Sequence, residues 1–128
     1  MFEQDYIVRL IKEMVRAVLR LLFKSDIDLP AEELLKDTEK RSMLENLLDK
    51  IDAGNIDEAE NELSDMVDGK DREGLTAALL FYSHLNEKDD AFLKAHDFSR
   101  EEIKAGLADV AECYGLGSVA ETFFNEEE

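Results

Sequence analysis

Two histidines, one cysteine and 32 carboxylates are the side chains of this chain that could carry acid–base, nucleophilic or metal chemistry. Cys113 stands between Glu112 and Tyr114 with no histidine beside it. Neighbouring carboxylates raise a thiol pKa and withhold the thiolate, so a packed or idle thiol is expected here rather than a nucleophile. A single thiol forms no internal disulfide, which fits a reducing compartment. His84 and His96 lie in no H-E-x-x-H pattern and have no cysteine pair to complete a zinc site. His84 falls in an apolar helical stretch, where a hydrogen-bonded structural role is expected. His96 precedes a helix start and is expected to cap it or to pair with Asp97.

The acidic turns fail as calcium loops. An EF-hand needs ligands at its first, third and fifth positions and glycine at the sixth. In Asp65-Met66-Val67-Asp68-Gly69, Val67 takes a ligand place and the glycine comes one residue early. In Asp49-Lys50-Ile51-Asp52-Ala53-Gly54, Ile51 and Ala53 take ligand places. Gly115-Leu116-Gly117 lacks the strand and third glycine of a dinucleotide fingerprint, and no G-x-S-x-G elbow occurs. No catalytic, cofactor-binding or metal residue is assigned, and no cofactor or small-molecule ligand is expected. An enzyme reading is left with distant carboxylates and the two histidines alone.

The remaining feature is a segregation of charge. Residues 1–24 hold five basic and three acidic side chains, a balance of +2; the other 104 residues hold 10 basic and 29 acidic, a balance of −19. The net −17 argues against nucleic-acid binding, because phosphate contacts need clustered Lys and Arg. On a helix from Glu3 to Lys24, the cations Arg9, Lys12, Arg16, Arg20 and Lys24 fall within a sector of about 120°. Ile7, Leu10, Ile11, Met14, Val15, Val18, Leu19, Leu21 and Leu22 fill an apolar arc of about 200°, wider than one neighbour covers. Such a helix lies between several elements, or meets another chain or a membrane. Asp5–Arg9, Arg9–Glu13 and Glu13–Arg16 can pair along it, each adding a few tenths of a kcal/mol. Lys12, Arg16, Arg20 and Lys24 are the candidate partner-binding residues. The plainer reading pairs them loosely with the chain's own carboxylates, such as Glu58 or Glu62.

The elements that must position these residues all read as helices, since no segment alternates with period two. Ser25–Leu29 is a linker. Pro30–Lys36 and Glu39–Ala53 are two helices out of phase, or one helix with two neighbours. Gly54 ends that segment and Asn55 with Glu58 forms a capping box for the next helix, which buries Ile56, Ala59, Leu63 and Met66. Leu75–Asn86 has no formal charge and is apolar all round, as a central helix is. Asp89–Ala95 is a short helix with Ala91, Phe92 and Ala95 inward. Ser99 with Glu102 caps the next, with Phe98 and Ile103 as its staple; it buries Ile103, Leu107, Val110 and Tyr114 and stops at Gly115. Ser118 with Glu121 opens a last helix, and the tail 125–128 is expected to fray. The fold expected is all-α, a single-domain bundle over 1–128 of about seven or eight short helices. It comprises the basic helix 1–24 and an acidic helical body over 25–128.

Ala53-Gly54-Asn55-Ile56-Asp57-Glu58-Ala59 resembles the turn inside a tetratricopeptide repeat, with Gly54 and Ala59 at the small positions. Leu47 and Lys50 depart from that pattern, and no second copy follows at the period of about 34 residues. The resemblance therefore implies an antiparallel helical hairpin. Over its whole length the chain resembles a family of small, acidic, uncharacterised bacterial proteins of Firmicutes. The resemblance rests on Met1-Phe2-Glu3-Gln4-Asp5-Tyr6, Arg9-Leu10-Ile11-Lys12-Glu13-Met14, Asp52-Ala53-Gly54-Asn55, Leu79-Leu80-Phe81-Tyr82 and His96-Asp97-Phe98-Ser99-Arg100-Glu101-Glu102. It implies one domain and a bacterial cytosol, and carries no catalytic residues.

With no signal-peptide pattern and no uncharged run of membrane-spanning length, a cytoplasmic location is expected. The function expected is a non-enzymatic interaction or scaffold module whose acidic faces meet a basic protein partner, or whose first helix mediates self-association. The alternative is attachment of helix 1–24 to a membrane surface.

Overall fold

A helix apolar on every side has to be enclosed, and the segment around Leu75–Asn86 is. The computed structural model describes residues 2–23 and 34–124, with side chains from Asp5 onward. Seven helices and no strand occur among the described residues: α1 (Phe2–Phe23), α2 (Thr38–Asp52), α3 (Ile56–Asp68), α4 (Arg72–Asn86), α5 (Asp90–Ala95), α6 (Arg100–Cys113) and α7 (Gly117–Phe124). Ten of the fifteen residues of α4 are buried, and only a narrow stripe of Glu73, Leu80, Ser83 and His84 is partly exposed, with Arg72 exposed at its start. Helices α1, α2, α3 and α6 surround it, and α7 packs on α1 and α6. No described helix is long and apolar enough to cross a membrane.

The wide apolar arc of α1 is used inside the bundle. Ile7, Leu10, Ile11, Met14, Val15, Val18 and Leu19 are buried against α4, α6 and α7. Leu21 is the exception, at 61 % exposed, because it lies past the edge of the packed face. The two-helix reading of 30–53 meets the structure at Leu35–Asp37, which is not helical, and Asp37 caps α2 by accepting from the Glu39 and Lys40 amides. Residues 24–33 and 125–128, with the linker, most of the expected helix at 30–36 and the tail, lie outside the described residues.

Three local expectations are corrected. Asn55 makes no side-chain cap. The turn closes instead through the backbone: the Gly54 N–H donates to the Ile51 carbonyl (2.9 Å) and the Asn55 N–H to the Lys50 carbonyl (2.8 Å), a Schellman motif that needs no side chain. Helix α5 turns Leu93 inward, with Ala91 and Ala95 exposed and Phe92 half-buried. Six residues make under two turns, so a single large side chain serves as its anchor. Helix α7 begins at Gly117, which puts Ser118 inside the first turn rather than at its cap. The Ser99–Glu102 capping box forms in both directions, with Phe98 and Ile103 buried beneath it.

Gly54 has φ +90, and a Cβ there would enter the His96 ring. Gly54→Ala is expected to cost about 1–3 kcal/mol by combining backbone strain with this collision. In a His96→Ala background only the strain of about 1 kcal/mol should remain. Urea unfolding of the four proteins of that cycle measures the difference; equal costs in both backgrounds would remove His96 from the account.

Candidate functional site

Packing fixes which way α1 faces. The Asn86 side-chain amide donates to the Val8 carbonyl at 3.0 Å. At the other end the Arg72 guanidinium donates to the Leu22 carbonyl and lies 4.6 Å from the centroid of the Phe23 ring. A cation at a helix C-terminus also meets the negative end of the helix dipole. Held so, α1 turns Arg9, Lys12, Arg16 and Arg20 outward, and all four are exposed. Lys24 lies outside the described residues.

None of these four cations forms an ion pair among the described residues, not even with Asp5 or Glu13 on the same helix. The expectation that Glu58 or Glu62 would neutralise them is corrected. The hairpin of α2 and α3 brings Lys50 within 3.0 Å of Glu58 and 3.2 Å of Glu62. Lys40 takes Asp71 at 2.5 Å and Glu73 at 3.5 Å. The Lys50 ammonium is raised above its ordinary pKa by Glu58 first and then Glu62. One edge of the basic row is apolar: on a helix of 100° per residue, Tyr6 (37 % exposed), half-buried Ala17 and Leu21 follow it on the same side.

Both histidines converge on the end of α2. Asp52 bridges His84 Nε2 at 2.8 Å and Lys88 Nζ at 2.6 Å. Lys88 first and His84 second hold the Asp52 carboxyl below its usual range. His96 packs on Phe92, ring centroids 4.6 Å apart, and on Gly54, so the expected pairing with Asp97 is replaced by ring contact. The segments 52–55 and 96–102 thus meet in space. An imidazole held by a carboxylate can orient or relay a proton, but it needs a nucleophile or bound water to catalyse. Among the described residues no group of three or more His, Cys, Asp or Glu could hold a metal ion.

The sequence reading missed one partly buried polar pair. The Tyr82 hydroxyl donates to Glu60 Oε2 at 2.8 Å in a cavity of about 290 Å³ between α3 and α6, where Asp109 and the exposed Cys113 also stand. Tyr82 fits because position 106 is glycine; a Cβ there would come within 2.5 Å of the phenol oxygen. A glycine inside a helix, one turn from Glu102, was the available signal. Burial raises the Glu60 carboxyl above its usual range, the Tyr82 bond opposes this, and Asp57, Glu102 and Asp109 add to the rise. Burial beside Glu60 likewise pushes the Tyr82 phenol up.

A carboxyl whose folded pKa is raised stabilises the fold at low pH, and that contribution is lost as pH rises through the folded value. Glu60→Gln keeps an acceptor for Tyr82 and removes the charge. It is therefore expected to raise the melting temperature relative to wild type at pH 7, with the gain shrinking toward pH 4. A gain that is constant across pH would mean that the charge of Glu60 is not its cause.

Residues 1–115 match the model of a family of unknown function, DUF6483, and the chain belongs to that family. The match runs from α1 through the end of α6 and stops before α7. No curated protein and no solved structure matches the chain.

Proposed function

We propose that the protein is a cytoplasmic, non-enzymatic interaction module that docks an acidic protein partner on the outer face of α1. The observation that carries this reading is the set of four exposed cations, Arg9, Lys12, Arg16 and Arg20, left without ion partners among the described residues of a chain of net charge −17. Like charges held in one row repel, and an external anionic surface relieves that repulsion while steering encounter. The helical hairpin of α2 and α3 gives the rest of the molecule a scaffold character.

The same geometry weighs against the alternatives. Amphipathic membrane attachment uses the apolar face of a helix, and here Ile7 through Leu19 on that face are buried in the core. Adsorption to anionic lipid would then rest on charge alone, against a body of −19. A two-fold dimer through α1 would set the cations of one copy against the same cations of the other.

The test is affinity capture from the source lysate with wild type and with Lys12→Gln/Arg16→Gln/Arg20→Gln. Exposed substitutions of this kind shift stability by at most about 0.5 kcal/mol each. The expected result is a partner that is lost with the triple variant while the melting temperature holds, and whose capture weakens as salt rises. Equal recovery by both proteins, or no partner for either, would sink the proposal. Flotation of the wild type with anionic vesicles at 0.15 M ionic strength, a condition of about 8 Å screening length, would move the assignment to a lipid surface.

A further inference from the structure

The row on α1 is narrow, and its shape restricts what can lie on it. Arg9, Lys12, Arg16 and Arg20 follow one another at intervals of three, four and four residues. At 1.5 Å and 100° per residue they make a line about 16 Å long within a sector of about 80°. The exposed apolar side chains beside the line, Tyr6 and Leu21, stand with half-buried Ala17 on one side of it, while Val8 on the other side and Phe23 at its end are half-buried; Leu21 is the most exposed large apolar side chain among the described residues. The helices packed beside α1 are themselves acidic on their surfaces: Glu101, Asp109 and Glu112 on α6 and Glu121 on α7 are exposed. A broad polyanion such as a bilayer would be repelled by a body of net −19 as it approached the cations. A second helix, packed at an axial distance of about 8–10 Å, meets the row alone.

We infer that the occupant of this face is a single acidic α-helix of about three turns with one apolar edge. The inference rests on the docking role proposed above and specifies its partner. Carboxylates at helical spacing on the partner pair with Arg9, Lys12, Arg16 and Arg20, and its apolar edge covers Leu21 and Ala17. Asp5, exposed at the N-terminal end of the same sector, and Glu13, exposed about 20° beyond its edge, oppose a carboxylate and keep the contact weak and reversible. The arrangement selects for register, since a partner shifted by one residue presents its carboxylates about 100° away from the row.

Two synthetic peptides of identical composition, titrated into the full chain at low ionic strength, test this. One places glutamates at i, i+4, i+7 and i+11 beside a leucine edge; the other scatters the same residues round the helix. The striped peptide should bind about tenfold tighter, the sum of a few exposed ion pairs and one apolar contact. Arg16→Gln/Arg20→Gln and, separately, Leu21→Ser should erase the preference, and Glu13→Gln should strengthen binding of the striped peptide. Equal affinities for the two peptides overturn the helical partner. If affinity capture still yields a partner that depends on Lys12, Arg16 and Arg20, the docking role stands and only its helical form is lost. Absence of such a partner removes the docking role itself.

Discussion

The enclosure of α4 is the constraint from which the other placements follow. Carbonyls at the end of a packed helix are costly to bury without a partner, and the ends of α4 are tied down by side chains of its neighbours. At its C-terminal end the guanidinium of Arg100, itself only 6 % exposed, donates to the Asn86 carbonyl at 2.8 Å and to the Lys88 carbonyl at 2.6 Å. Asp90 compensates its charge at 3.0 Å. At the N-terminal end Asp71 accepts from the Gly74 N–H at 2.8 Å, and its own carbonyl accepts from the Tyr114 hydroxyl at 2.9 Å. The two ends of one buried helix therefore locate both ends of α6. Through the Asn86 amide they also fix the depth of α1.

From that follows the character of the surface. Once α1 is seated by Val8 and Leu22, its apolar arc is consumed and its basic row has one direction left, outward. The chain has carboxylates in excess, yet geometry commits several of them elsewhere: Glu58 and Glu62 to Lys50, Asp71 and Glu73 to Lys40, Asp52 to Lys88 and His84. Ion pairs form where the backbone brings partners within about 4 Å, so a surplus of negative charge does not neutralise a row that none of the described carboxylates reaches. The two histidines follow the same logic. They meet at the α2–α3 turn because α4 and α5 deliver them there, and the turn's glycine leaves space for the His96 ring.

How much was legible in the sequence varied with the range of the interaction. The Ser99–Glu102 box, the stop at Gly54 and the enclosure of Leu75–Asn86 were readable because each depends on residues within one or two turns. The Asn55–Glu58 box had the right residues and did not form, since the Lys50 carbonyl takes the Asn55 N–H and the Lys50 ammonium takes the Glu58 carboxylate. Helix α5 was misread in phase because under two turns carry too few positions to show a period. The partly buried Tyr82–Glu60 pair was missed because its partners stand 22 residues apart and only the packing of α3 on α4 joins them.

The sequence by itself determined the helical class, most of the helix boundaries, and the fact that one amphipathic helix opposes the charge of the rest. These depend on periodicity, caps and composition, which are local or additive. The tertiary structure alone decided that α1's apolar arc is shared among three neighbours, α4, α6 and α7. It alone decided which carboxylates are already paired, and so which cations face solvent without a partner among the described residues. Pairing of charges and burial of faces are properties of distance in space, and distance between residues far apart in the chain is set only when the helices pack.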